Sequence, residues 1–382
     1  MQLKRPRRAK NSTATQSVSQ SLMAAALALP GLATSATANA ATAPEEASIS
    51  YKHLYYQDYQ RSGKRMTINA DYLRFEIPVK NAIGIEGSLV ADSISGASPQ
   101  FHSTLSGASG RGITEYRRGA DAKVTGFFER GTAGIGASFS TEKDWESKTL
   151  SVDGRISSAN NNTTLAFGAD YTRDEIGKEF EPDFQKRRDT AGVFIGVTQV
   201  LTPNDLVQSN ITFNDGQGFF SDQYKDEDNR PEHRKQLAWL TRYVHYFSAA
   251  DIALHTSYRY YRNDWGVRAH SVDLQLYKQF ESGWMIRPNI RYYTQRAAEF
   301  YGDPPFPPSL VGAFYSADHR LGGFGAITLG LKISKELPKN FSLDAKWEWY
   351  QQRSDWRLGG NGSIGLEHMT ARWGMIGISK KF

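Results

Sequence analysis

The chain of 382 residues carries 46 Lys and Arg against 40 Asp and Glu, with no cysteine, 20 Phe, 19 Tyr and 8 Trp. A hydrophobic fraction of 39% and a mean hydropathy of −0.54 exclude a polytopic helical membrane protein, which needs repeated apolar runs of ~20 residues. Zero cysteines exclude a disulfide scaffold, a thiolate metal site and a cysteine nucleophile, and an aromatic share of 12% is too high for a disordered chain.

Residues 1–40 have the layout of a secretory signal peptide. Lys4, Arg5, Arg7, Arg8 and Lys10 form a basic start, residues 22–30 an uncharged and partly apolar run, and Ala38-Asn39-Ala40 a small-x-small cleavage site. No acid occurs there, so removing the segment lowers the formal charge from +6 to +1. The pI near 9.2 therefore does not point to nucleic acid. The mature protein is expected to begin at Ala41, with 41–47 a short periplasmic segment and 48–382 a β-domain.

From about residue 48 onward the chain alternates on a period of two, the signal of a strand with unlike faces. Leu73, Phe75, Ile77 and Val79 alternate with Tyr72, Arg74, Glu76 and Pro78. The pattern recurs over 83–91, 149–156, 164–171, 206–213, 252–260 and 272–276. Ile286, Pro288, Ile290 and Tyr292 then alternate with Arg287, Asn289, Arg291 and Tyr293, and 321–333 and 341–349 close the series.

Short breaks (81–82, 130–131, 160–162, 202–205, 248–251, 281–283 and 336–340) alternate with polar, mostly longer ones (60–65, 95–113, 142–146, 175–187, 217–231, 262–266, 298–316 and 353–367). That predicts about sixteen strands. The 342 residues after position 40 give about 21 per strand and connection, which suits strands that cross a membrane in ~9–11 residues. Short turns on one side and long loops on the other predict an all-β fold, a transmembrane antiparallel up-and-down β-barrel of the outer-membrane kind, with both termini on the periplasmic side. No fixed repeat supports a propeller or solenoid.

A charge on the lipid face costs ~2–4 kcal/mol for Lys or Arg at the midplane, so charges must turn inward. Parity assigns to the lumen Arg74, Glu76, Glu86, Asp92, Asp121, Lys123, Asp153, Arg155 and Asp170 in the first half. In the second half it assigns Arg259, Asp273, Arg287, Arg291, Asp344, Lys346 and Glu348. Both signs occur about equally, so strong ion selectivity is not expected. Trp239, Tyr243, Trp347, Trp349 and Trp373 are candidates for interfacial aromatic girdles. The chain ends in Phe382, with Ile378 and Ile376 at two-residue steps, similar to the signal read by the barrel-assembly machinery; Lys380 departs from it. Glu281-Ser282-Gly283 reads as a three-residue hairpin turn. Pairing Phe280 with Trp284 then sets Asp273 opposite Arg291 and Tyr277 opposite Arg287.

Candidate chemistry is sparse. His255 and Ser257 share a strand face, similar to the His-x-Ser pair of outer-membrane phospholipases, but Tyr258-Arg259 follows where that motif has Asn-Gly. An orienting third group cannot be placed. His102, His233, His319 and His368 fall near loops or strand ends without defined acid partners, and Asp222, Asp226, Glu227, Asp228 and Glu232 lack the spacing of a calcium loop. Neither a metal nor a cofactor is expected.

Five segments carry a family resemblance: Asp92-Ser-Ile-Ser-Gly-Ala-Ser-Pro99, Gln199-Val-Leu-Thr-Pro-Asn-Asp-Leu-Val-Gln208, Tyr258-Arg-Tyr-Tyr-Arg-Asn-Asp-Trp-Gly266, Arg291-Tyr-Tyr-Thr-Gln-Arg-Ala-Ala-Glu-Phe-Tyr301 and Asp318-His-Arg-Leu-Gly-Gly-Phe-Gly-Ala326. Over the whole mature chain the sequence resembles a family of Gram-negative outer-membrane proteins known only as a domain of unknown function. The resemblance implies a barrel and supplies no activity. Genes of such families often lie near periplasmic flavin-transferase and thioredoxin-like genes, which implies a link to a periplasmic redox protein; no flavin or haem attachment motif occurs here. The expected function is a non-enzymatic channel or envelope scaffold whose partners are outer-membrane lipid and the assembly machinery. The alternative is an outer-membrane hydrolase using Ser257 and His255.

Overall fold

Strands whose faces differ in polarity need a sheet that separates two environments, and here a single sheet does so by closing on itself. The computed structural model describes residues 43–382 except 62, 81, 97–112, 179–180, 225–227 and 304–313. The expected signal peptide 1–40 and the start at Ala41 lie outside the described residues, as do His102, Asp226 and Glu227.

The strands are β1 (Ser48–Gln60), β2 (Gly63–Val79), β3 (Ile83–Gly96), β4 (Ile113–Phe128), β5 (Gly131–Thr141), β6 (Trp145–Ser157), β7 (Thr163–Ile176) and β8 (Lys186–Thr202). They continue as β9 (Asp205–Gly218), β10 (His233–Phe247), β11 (Ile252–Asn263), β12 (Arg268–Gln279), β13 (Trp284–Gln295), β14 (Phe324–Leu337), β15 (Phe341–Arg353) and β16 (Met369–Lys381). Each pairs antiparallel with its chain neighbours, and β1 pairs with β16, so the sixteen strands form a closed barrel. The one helical element among the described residues is a 3-10 turn, His319–Leu321.

Strands run from 11 residues in β5, within the ~9–11 that a membrane requires, to 17 in β2 and β8, well beyond it. The surplus residues lie toward the long-loop ends, where pairing continues past the exposed apolar rows. On the other side the turns are tight. Asn161, Asp251 and Asn340 sit at φ of 56°, 52° and 60°, a left-handed region their short polar side chains tolerate. Gly283 closes its hairpin at φ 76°, with Phe280 N–H donating to the Trp284 carbonyl at 2.8 Å. The register that follows sets Asp273 opposite Arg291.

Outside, large apolar side chains lie exposed along each wall; Val272, Leu274 and Leu276 on β12 and Ile290 on β13 are examples. Trp284 and Tyr292 mark the two ends of the outward row on β13. Eight residues at ~3.4 Å and a ~40° tilt give a band of about 21 Å, near the ~25 Å apolar belt of such barrels. The sidedness is testable, because the chain has no native cysteine. Ile364→Cys, 88% exposed in the β15–β16 loop, should react with a membrane-impermeant maleimide on intact cells, and Asn161→Cys should not. The reverse labelling would invert the assignment.

Candidate functional site: the lumen wall

Register fixes which side chains turn inward. Leu73, Leu89, Ile135, Val152, Ile195, Ile211, Trp239 and Leu329 face out, so residues one position away face the lumen. Arg74, Glu76, Glu86, Asp92, Asp121, Lys123, Asp153, Arg155 and Asp170 lie on that inner face. Arg259, Asp273, Arg287, Arg291, Asp344, Lys346 and Glu348 lie there too. So do Lys52, Arg117, Arg242 and Lys332, which the sequence reading passed over. The same parity rule would have found them.

Many of these groups meet. Arg74 donates to Glu86 at 2.7 Å, and Arg117 donates to Asp92 through Nη2 at 2.7 Å and Nε at 3.0 Å. Arg291 Nε donates to Asp273 at 3.1 Å, and Arg287 reaches the Tyr277 hydroxyl at 3.2 Å. Lys346 pairs with Glu348. Two of these contacts skip a strand. Lys123 on β4 reaches Asp153 on β6 at 2.5 Å, passing over Gly134 of β5. A Cβ at Gly134 would lie 2.6 Å from the lysine Cε and 3.0 Å from the Asp153 carboxylate. In the same way Asn289 donates to Glu348 at 3.2 Å across Gly330, where a Cβ would come 2.4 Å from the Asn289 oxygen. A lumen-facing glycine thus opens a gap through which next-nearest strands pair. Its signal in the sequence is a glycine at lumen parity between two charged or amide strands.

The aromatic candidates divide. Trp239 and Trp347 stand exposed on the outer wall, and Tyr243 and Trp349 share that face. Trp347, Ala345, Gly374, Ile376 and Tyr55 border a shallow outer groove of about 420 Å³. Trp373 does not join the girdle. It pairs opposite Glu348, donates from its indole N–H to the Glu348 carboxylate at 2.9 Å and packs inside against Tyr56, ring centroids 6.0 Å apart. The correction follows from parity: Ile376 and Ile378 face out, so 373 must face in. Phe382 ends the chain with its N–H on the Ala47 carbonyl at 2.9 Å, and Lys380 lies over its ring.

At the long-loop end the wall is capped by loop packing. Trp265, Val267, Ala298 and Leu321 form a buried apolar cluster over β10–β13, with Arg234 lying 4.5 Å over the Trp265 ring. Arg230 joins the β9–β10 and β13–β14 loops, donating to Asp228 at 2.7 Å and to Asp318 at 2.9 Å. Burial opposes its charge, yet the two carboxylates hold this guanidinium above its ordinary pKa. On the neighbouring stretch Leu366 packs on Phe324 and Ala326. Of the candidate histidines, His233 lies 2.7 Å from Asp215, His319 3.7 Å from Asp318 and His368 4.0 Å from Asp355. His255 lies against the Tyr277 ring, centroids 4.4 Å apart and planes tilted by 34°, while Ser257 accepts from Arg242 at 3.4 Å, so this pair is not arranged as base and nucleophile.

Two ion pairs should respond unequally to mutation. Asp58 sits in the β1–β2 bulge, 0% exposed, and holds Arg65, 3% exposed, together with the Met66 N–H at 2.9 Å and the Tyr56 hydroxyl at 3.0 Å. Asp58→Ala strands a buried guanidinium and should cost ~3–5 kcal/mol in urea unfolding. Asp273→Ala instead leaves Arg291, 35% exposed and able to take water, and should cost only ~0–1 kcal/mol. Equal losses would contradict the contrast.

Among solved structures, the siderophore receptor PirA from Pseudomonas aeruginosa is similar at 9% identity and a TM-score of 0.47, over 87% of this chain and 62% of that one. The present chain therefore spans less than two thirds of that receptor. OccK2 (OpdF) of Pseudomonas aeruginosa aligns at 10% identity and a TM-score of 0.44, covering 88% of this chain and 98% of that one. A BenF-like porin from Pseudomonas fluorescens Pf-5 aligns at 9% identity and 0.46, with the same coverage. At this level of similarity none speaks to activity or solute. No curated protein matches the sequence. The family described as "Protein of unknown function (DUF3570)" matches residues 19–371, nearly the whole chain, and this barrel belongs to it.

Proposed function

We propose that the protein is a porin-like channel of the outer membrane, exported by its first forty residues and inserted by the assembly machinery through the strand that ends at Phe382. The observation that carries the reading is the inner wall. Charged and amide side chains line it from β1 to β16, and Arg155 and Arg259 are exposed there rather than buried in a packed core. Charges left exposed inside a barrel need water, and a sixteen-strand barrel is wide enough to hold an aqueous path. At the long-loop end the Arg230–Asp318 tie and the Trp265 cluster hold loops together over β10–β13.

The implied tie to a periplasmic redox protein rests on family gene context; the barrel adds nothing to it, and the channel reading does not need it. Refolded protein in planar bilayers should give stepwise ion conductance. A folded, heat-modifiable barrel that inserts without conducting would overturn the channel.

A further inference from the structure

Charge on the lumen wall is balanced in number and unbalanced in place. Between the mouth and the short turns, β2–β7 turn inward Glu76, Glu86, Asp92, Asp121, Asp153 and Asp170 against Arg74, Arg117, Lys123 and Arg155. The β10–β14 wall turns inward Arg242, Arg259, Arg287, Arg291 and Lys332 against Asp273 and, beside the short turn, Glu336; Lys332 lies 3.6 Å from Asp344 of β15. Below Lys186 and the Arg188–Asp174 pair at the long-loop end, the intervening β8–β9 face carries neutral groups such as Thr212 and Asn214. Arg291 engages Asp273, which also accepts from Gln275 at 2.6 Å. Arg242, Arg259 and Arg287 have no carboxylate partner among the described residues. Arg242 meets only the Ser257 hydroxyl, Arg259 lies 5.7 Å over the Tyr261 ring, and Arg287 holds the Tyr277 hydroxyl with its Nε unpartnered.

We propose that this β10–β13 strip is a binding site for anionic solutes bearing two or more carboxylate or phosphate groups. Arg242 is directly opposite Ser257, and Arg259 is the next inward residue along β11. Strands ~4.8 Å apart and same-face residues ~6.8 Å apart put those two Cα atoms about 8 Å from each other, within reach of one anionic group. Toward the short turns, His255 packs at a tilt against Tyr277, and the Arg287 guanidinium lies 5.4 Å over the same ring. The strip is thus two cationic ends joined by an aromatic floor. Guanidinium forks match carboxylate and phosphate geometry, and a ring floor suits the body of a small organic acid. Like charges this close disfavour one another, so an arriving polyanion relieves repulsion as well as forming bonds. The site rests on the channel reading only in that solutes must reach the lumen.

The test is calorimetric titration of the full barrel, refolded in neutral detergent at ~0.15 M salt, where charges are screened beyond ~8 Å. Citrate and pyrophosphate are the probes, and they separate carboxylate from phosphate recognition. One or both should bind, and R242Q/R287Q should weaken binding at least about tenfold, as loss of charge-assisted contacts requires. R155Q, which removes an exposed inward arginine from the β2–β7 wall, should leave affinity within about twofold. Should the double variant fail to show heat-modifiable folding, R259Q carries the same expectation. Absence of binding by both probes, or equal loss in R155Q, would overturn the site. A barrel that binds without conducting overturns the channel alone, and one that conducts without binding overturns this inference alone.

Discussion

Closure of the backbone ladder between β1 and β16 is the constraint from which the rest follows. An unpaired N–H or C=O in hydrocarbon costs several kcal/mol, so an open sheet edge cannot stand in lipid. Here the register runs unbroken from Ser48 opposite Lys381 to Tyr59 opposite Thr370, and no edge remains among the sixteen strands. Once the sheet is closed, alternate residues must choose between lipid and interior. Leucine, isoleucine and valine take the outer wall, and the ionisable groups have one remaining place to go.

That place imposes its own condition, because a charge turned inward still needs a partner or water. The wall offers both solutions. Asp58 and Arg65 sit dry in the β1–β2 bulge with further donors around the carboxylate, a geometry in which removing one ion leaves the other uncompensated. Asp273 and Arg291 pair in a wetter stretch, where the same bond is screened. Between these extremes, Gly134 and Gly330 let side chains two strands apart meet, and so extend pairing beyond immediate neighbours. Pairing of this kind accounts for much of β2–β7. It does not account for Arg242, Arg259 and Arg287, which a purely structural wall would have no reason to concentrate.

Strand number, the alternation of inward and outward faces and the Asp273–Arg291 register were legible in the sequence because each depends on a period of two or on one turn. Gly283 anchors the hairpin, and every pairing above it follows by counting. Trp373 was misread because residue type was allowed to outweigh parity: a tryptophan near a strand end suggests a girdle, yet Ile376 and Ile378 already place 373 inside. The Asp58–Arg65 pair was hidden for a different reason. A bulge between Gln57 and Tyr59 breaks the count, so parity loses its meaning at the place where both ions turn in. The glycine gaps involve three strands at once and need the registers of two hairpins together. The Arg230 tie joins loops 88 residues apart in the chain, and no local period encodes that.

The mouth and the arginine strip belong to the same sector of the barrel. Trp265, Val267, Ala298 and Leu321 pack over the long-loop ends of β10–β13, and those are the strands whose inner faces carry the uncompensated guanidiniums. Arg234, at the top of β10, marks the boundary: its charge lies against an indole and the Tyr261 hydroxyl, out of the water path. Below it Arg259 is exposed. One strand sector therefore changes from a packed rim to an open cationic wall within a few residues. A rim tied by buried charges resists the local opening expected of surface loops, because releasing Arg230 would leave Asp228 and Asp318 without it. Order above the strip and exposure along it are what a solute path with a fixed entrance requires, and a barrel serving only as a membrane plug would need neither on these four strands in particular.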